Sequence, residues 1–252
     1  SISEATAALS FAELGEFDQA LLHAEQAVKF AQTLDVLFLR ALAEESLGSV
    51  HLWKGELQKA LHLAHAWLQT YAGADLPLPQ LVMTVHLGEV FNASGQLDDA
   101  LALFERSWRL AESKSLLVYQ PRLLALMGDA HGRAGRIDEA VTTGRRALNL
   151  ARELGQRGDE ARTLYLLGNI HRYGGSPNVS QSREHYQQSL TLAHELGMRP
   201  VEAQCHLALG ELASKTGHRE EAQQKLTVAL TMFREMGMET WPERAKAALK
   251  EL

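Results

Sequence analysis

The sequence predicts an all-α solenoid, six helical hairpins in a row closed by a thirteenth helix, and three observations carry that prediction. A six-residue segment recurs as Gly15-Glu16-Phe17-Asp18-Gln19-Ala20, Gly55-Glu56-Leu57-Gln58-Lys59-Ala60, Gly95-Gln96-Leu97-Asp98-Asp99-Ala100, Gly135-Arg136-Ile137-Asp138-Glu139-Ala140 and Gly217-His218-Arg219-Glu220-Glu221-Ala222. Each copy reads as a stop followed by a start. Glycine accepts the left-handed conformation that ends a helix. In the three clearest copies an apolar residue and then Asp18, Asp98 or Asp138 form the staple and N-cap of the next helix. A second mark, Leu47-Gly48, Leu87-Gly88, Met127-Gly128, Leu167-Gly168 and Leu209-Gly210, lies inside the first helix of successive hairpins. Glycine within a helix costs about 1 kcal/mol relative to Ala, so its return at one position implies that the partner helix crosses there. Composition is the third observation: 46% hydrophobic, 6% aromatic and rich in Ala and Leu, which suits close-packed helices better than sheets.

Taken in order, the hairpins divide the chain at about 1–40, 41–80, 81–120, 121–160, 161–202 and 203–237, leaving 238–252 as a C-terminal helix. Ser1 is not a natural start, and Ile2-Ser3-Glu4 enters the helical pattern with no capping segment, so the chain reads as a piece of a longer protein. Turn glycines 15, 55, 95 and 135 keep a constant interval, and Gly175 keeps it again. Gly175-Ser176-Pro177-Asn178-Val179-Ser180 then adds two residues and is expected to bulge as a surface loop. Asn178-Val179-Ser180 spells a glycosylation acceptor that a cytoplasmic protein would not use. Seven residues beyond the turn alanines stand Ala27, Ala147 and Ala229, with Trp67, Ser107 and Ser189 at the matching places, on the face that carries the turn Ala. Pro77, Pro79, Pro121 and Pro200 cluster at junctions between hairpins, where the first turn of a helix tolerates them. The last helix places Trp241 and Leu249 inward and its charges outward, as a polar end cap.

These marks resemble the tetratricopeptide repeat in its long form, about 40 residues against the common 34. The likeness covers residues 1 to about 237, with Ala7-Ala8 standing for Leu-Gly in the first copy. It departs at the family's early Trp, replaced by Glu44, Thr84, Leu124, Leu164 and His206, and at its closing Pro, which is missing. The resemblance implies a right-handed superhelix, as in kinesin light chains, cell-polarity adaptors and bacterial signalling proteins. Residues Met198 to Met238 further resemble the C-terminal repeats of large bacterial regulators. In those, a signalling ATPase, joined to a nucleotide cyclase or a LuxR-type DNA-binding module, ends in such repeats.

Composition excludes several functions. A net charge of −6 argues against general nucleic-acid binding, which needs clustered positive charge. No apolar run approaches the ~20 residues of a membrane span. A single Cys205 excludes an intrachain disulfide and reads as a small buried residue. With no signal peptide, the cytoplasm is the expected compartment. No phosphate loop, paired-cysteine motif or nucleophile elbow is present, so neither catalysis nor a cofactor is expected. Among the eleven histidines, His51, His131 and His171 share one repeat position with Phe91, which favours packing. His62 and His65 could share a metal but have no third ligand nearby in sequence, and no metal site is expected.

Function is therefore expected to reside in a binding face. By the resemblance, first helices line a concave groove and present the second, fifth, ninth, twelfth and thirteenth residues of each repeat, a spacing that also describes one helical stripe. The stripe reads Leu42, Glu45, Ser49, Leu52, Trp53, then Val82, Val85, Glu89, Asn92, Ala93. It continues through Arg122, Ala125, Asp129, Gly132, Arg133 and Arg162, Tyr165, Asn169, Arg172, Tyr173. Its N-terminal half is apolar, with Trp53 as an anchor, and its C-terminal half is cationic. The expected groove residues are Leu42, Trp53, Val85, Asn92, Arg122, Arg133, Arg162, Tyr165, Asn169, Arg172 and Tyr173. Packing against neighbouring helices, with the arginines held by Asp129, Asp159 or Glu160, is the bland alternative. The expected function is a protein-interaction and regulatory module of a larger bacterial signalling protein, with attached domains. Its expected partner is a protein or peptide bearing an acidic segment, neither nucleic acid nor membrane. A small-molecule inducer sensor controlling an attached ATPase or cyclase is the alternative, and a substrate-docking arm of an enzyme is a weaker third.

Overall fold

Amphipathic segments separated by glycine turns fold here as antiparallel helix pairs. The computed structural model describes residues 2–34, 36–71, 73–173 and 178–252. Among the described residues there are thirteen α-helices and no strand. The chain divides into two compact units, residues 1–115 and 116–252.

The first unit holds three hairpins: α1 (Ile2–Leu14) with α2 (Phe17–Leu34), α3 (Leu37–Lys54) with α4 (Leu57–Tyr71), and α5 (Pro77–Ala93) with α6 (Leu97–Ser113). Helix α3 packs on both helices of the first hairpin, and α5 on both helices of the second. A 3₁₀ turn, Leu117–Tyr119, opens the second unit. That unit pairs α7 (Gln120–Arg133) with α8 (Ile137–Glu153), α9 (Arg157–Ile170) with α10 (Val179–Glu195), and α11 (Arg199–Lys215) with α12 (Arg219–Glu235). Helix α13 (Trp241–Lys250) packs on α12. The first helices of hairpins two to six begin one to four residues ahead of the expected repeat boundaries.

Glycines 15, 55, 95, 135 and 217 all have positive φ, as expected of helix ends. Gly175, Ser176 and Pro177 lie outside the described residues. The turn is tighter than the sequence suggests. Arg136 N donates to His131 O at 2.9 Å and Gly135 N to Gly132 O at 3.0 Å, a Schellman closure. Arg136 is at once the last residue of that closure and the N-cap of α8, so no room remains for a separate cap. Arg136 and Gln96, the cap residues of α8 and α6, make no side-chain cap bond. Asp98 and Asp138 therefore lie inside the first turn, where they meet the positive end of the helix dipole instead of capping it. A side-chain cap is present where the sequence suggested a loop: Asn178 Oδ1 accepts from Gln181 N at 3.1 Å, and Val179 and Ser180 already belong to α10.

The recurring mid-helix glycines do mark helix crossings. A Cβ on Gly88 would meet the ring of Phe104 at 2.5 Å, one on Gly168 the ring of Tyr186 at 2.4 Å, and one on Gly210 the Leu226 side chain at 2.7 Å. At Gly128 the neighbour is backbone, Gly144 N at 3.2 Å, because α8 carries glycine where α6, α10 and α12 carry Phe104, Tyr186 and Leu226. At Gly48 nothing comes nearer than 3.9 Å. The matching second-helix positions Ala27, Trp67, Ser107, Ala147, Ser189 and Ala229 are all buried. Where that residue is polar it can donate to the crossing helix: Trp67 Nε1 to Ala41 O at 2.9 Å, and Ser189 Oγ to Ala161 O at 2.7 Å.

Candidate functional site

In the first unit the expected apolar stripe contains a buried polar cluster. Ser49 Oγ lies 2.7 Å from Glu45 Oε1 and 2.9 Å from His86 Nδ1, and His86 Nδ1 lies 3.3 Å from Glu45 Oε1. All three residues are buried, so the serine hydroxyl offers no accessible atom to a substrate. Trp53 meets His86 edge to face, ring centroids 6.4 Å apart. Trp53 and Leu42 are half-buried on α3, whereas Val85 and Asn92 are buried in α5 and present almost no surface.

In the second unit, α9 carries Arg162, Tyr165, Asn169 and Arg172 at intervals that place them on one face, Arg172 lying just past its last turn. Tyr173 follows, and its hydroxyl donates to Asp129 Oδ1 of α7 at 3.0 Å. The Tyr173 ring fills the space left by Gly132, where a Cβ would approach it to 2.6 Å. The stripes of repeats four and five are thus joined by side chains, with Arg122 and Arg133 half-buried on α7. From α10, Tyr186 donates its hydroxyl to Asn169 Oδ1 at 2.7 Å and packs 5.9 Å from the Tyr165 ring. Burial pushes the Tyr165 hydroxyl up to about 12, so it stays protonated and available as a hydrogen-bond donor at neutral pH.

Arg172 finds neither Asp129 nor the acids at 159 and 160. It donates from Nη2 to Glu211 Oε2 of α11 at 2.9 Å and from Nη1 toward Tyr186 Oη at 3.5 Å. Glu211 also receives a two-pronged contact from Arg244 of α13, Nε to Oε1 and Nη2 to Oε2, both at 2.8 Å. Burial alone would raise the Glu211 carboxyl, but the guanidinium groups of Arg244 and Arg172 outweigh it and hold it below the usual range. The same balance holds Arg172 firmly charged: burial opposes its charge, and Tyr186 and Glu211 more than restore it. Arg244 is exposed on α13 and still reaches across to Glu211 of α11.

Glu211, Arg244 and Tyr186 were not among the expected groove residues. Glu211 was within reach, for it continues the ninth-position series Ser49, Glu89, Asp129, Asn169 into the sixth repeat. Arg244 carries no such signal, because α13 lies outside the repeat. The shared histidine position is a turn strut more than a packing site: His51 pairs with Glu56, and His131 Nδ1 lies 3.4 Å from Glu139. His171 meets another ring, His185, at 5.3 Å. Among the described residues no three His, Cys, Asp or Glu side chains are grouped to hold a metal, and no helix is long and apolar enough to cross a membrane.

No protein-family model matches the sequence, and no curated protein matches it either. Solved structures do match. The chain is similar to a Rap protein crystallised in complex with competence and sporulation factor, at 11% identity and a TM-score of 0.72, over 99% of this chain and 84% of that one. It is similar to NprR in complex with its cognate peptide NprX, at 12% identity and a TM-score of 0.59, over 98% and 80%. It is also similar to a STAND protein with a tetratricopeptide repeat sensor from Pyrococcus horikoshii, at 10% identity and a TM-score of 0.54, over 97% of this chain but 38% of that one. At these identities the likeness is one of fold. The fold is the tetratricopeptide-type helical-hairpin repeat.

Proposed function

We propose that this chain is a protein-interaction and regulatory module of a larger cytoplasmic bacterial signalling protein, binding a peptide or partner domain on the face of its odd-numbered helices. The observation that carries the reading is the α9 face, where two arginines, a tyrosine and an asparagine converge in a protein of net charge −6. Planar guanidinium groups suit carboxylates, and the hydroxyl and amide between them add hydrogen-bonding groups, so the partner carries an acidic segment. The folds of Rap and NprR, each crystallised with a factor or peptide, support a peptide ligand. The sensor named in the Pyrococcus horikoshii protein favours a second reading, in which a small-molecule inducer is bound and controls an attached ATPase or cyclase.

Random peptides displayed on phage and selected on the whole chain test the first reading. A selected peptide, titrated calorimetrically, should bind the Arg162→Ala/Arg172→Ala double variant about tenfold more weakly and with a smaller salt dependence, while helicity is unchanged. Equal affinity for the double variant would remove this face from the site, and failure to select any peptide would favour the inducer reading.

A further inference from the structure

Arg172 and Arg244 share a single carboxylate. Arg172 bonds to Glu211 and Tyr186, and Arg244 bonds to Glu211 alone, so among the described residues no second acid is paired with either guanidinium. Three elements, α9, α11 and α13, thus bring together two full positive charges and one negative charge. Arg172 and Glu211 are largely withdrawn from water, with side chains 16% and 14% exposed, while Arg244 remains 51% exposed. The two charges withdrawn from water, Arg172 and Glu211, compensate each other, and the half-exposed Arg244 adds a positive charge beside them with no acid of its own among the described residues. Among the described residues Arg244 Nη1 and Arg172 Nε have no bonding partner, so the fork that meets Glu211 keeps donors for another acceptor.

We propose that the Arg172–Glu211–Arg244 cluster is the receptor for an acidic side chain of the partner, and that α13 supplies one of its binding residues. The inference rests on the reading that the α9 face binds a peptide, and it identifies the chemistry recognised there. A partner carboxylate joins Glu211 between the two guanidinium groups and neutralises the remaining charge. Glu211 thereby has two roles: it holds both arginines in place and offsets part of their charge while the site is empty, and it repels the incoming acid. An end helix that only covered the last hairpin would need no such link. Trp241 stacks on Phe233 at 5.4 Å, and Pro242 and Ala245 are buried, so α13 is seated without Arg244.

The test compares acetylated hexaglutamate amide with the hexaglutamine peptide of the same length as calorimetric probes of the whole chain. Wild type should prefer hexaglutamate. Glu211→Gln, which removes the competing charge and keeps a polar side chain, should bind it about tenfold more tightly at low salt. Arg244→Ala should bind about tenfold more weakly, and Arg244→Lys, which keeps the charge without the fork, should fall between. Tryptophan fluorescence reports whether α13 stays seated in each variant. If Arg244→Ala unseats α13, the Glu211→Gln comparison decides. Unchanged or weaker binding by folded Glu211→Gln would overturn the proposal and leave a structural latch. If a phage-selected peptide still depends on Arg162 and Arg172 in that case, the peptide-binding reading stands without this site. If no variant distinguishes hexaglutamate from hexaglutamine, the proposal and the acidic character of the partner fall together.

Discussion

Glu56, the residue after Gly55, gathers two lysines and a histidine at one turn. His51 pairs with it, Lys54 Nζ lies 3.2 Å away and Lys59 Nζ 3.1 Å, and its side chain is 3% exposed. Burial alone would raise its carboxyl, but the bonds from His51, Lys59 and Lys54 overcome that and bring it to about 2. A carboxyl held below its unfolded value stabilises the fold above pH 4.5, and that contribution disappears as pH falls from 4.5 toward 2. The contribution is of order 3 kcal/mol at neutral pH. Glu56→Gln should accordingly lower the urea midpoint at pH 7 and flatten its decline below pH 4.5. A variant with the wild-type midpoint at pH 7 would show the cluster to be idle. His206 acts in a higher window. Burial, then Lys225 and His194, depress it to about 4, so it is neutral in the fold and takes up a proton on unfolding. It leaves stability unchanged above pH 6.5 and destabilises the fold increasingly as pH falls from 6.5 toward 4, and His206→Gln should make the midpoint less sensitive across that interval.

Helix ends and helix crossings use glycine for different reasons, and substitution separates them. A Cβ on Gly135 would meet nothing within 4 Å, yet φ there is +80°, so Gly135→Ala should cost about 1 kcal/mol through backbone conformation alone. Gly168 is the reverse case, with space as the constraint. Gly168→Ala would force the Tyr186 ring to move and disturb its bond to Asn169, costing about 1–3 kcal/mol. Gly48→Ala, in the same register but with 3.9 Å of clearance, should be neutral or stabilising by up to about 1 kcal/mol. Thermal midpoints of the three variants check this order, and equal losses at Gly48 and Gly168 would refute it. The six-residue turn was legible because four copies keep one period and the fifth, at Gly217, follows an addition of two residues. A second set of left-handed turns was not: Gly155, Gly197 and Gly237 close the second helices, and Ser115 holds the matching place at φ 54°. With serine breaking the series, glycine alone did not reveal it. Ser115→Gly should raise the midpoint by the strain relieved, about 1 kcal/mol. The misplaced Asp caps have a local cause as well, since one residue both closes the first helix and opens the next.

At the scale of the molecule, the repeat was legible because each hairpin restates the same steric problem. The candidate site was only partly so. The α9 face follows from helical spacing, whereas the partners of Arg172 come from α10 and α11, and Glu211 in turn is gripped from beyond the repeat, 33 residues along the chain. Such pairs are decided by packing, not by any local pattern. Helix α13 matters for the same reason. It covers the end of the last hairpin, where Phe233 is fully buried beneath the Trp241 ring and Met236 and Met238 are buried close by in sequence. Removing residues 239–252 should uncover that apolar surface and release Glu211 from one of its two arginines. Exposed ends of stacked repeats associate, so the truncated chain should sediment as a concentration-dependent oligomer with a lowered thermal midpoint. Trp241→Ala, which weakens the stack but keeps Arg244 present, should give a smaller drop in midpoint. Arg244→Ala should leave the chain monomeric, because the stack still covers the end. A truncated chain that remained monomeric and equally stable would make α13 a tail, and would leave the recognition of the partner's acid as its one remaining role.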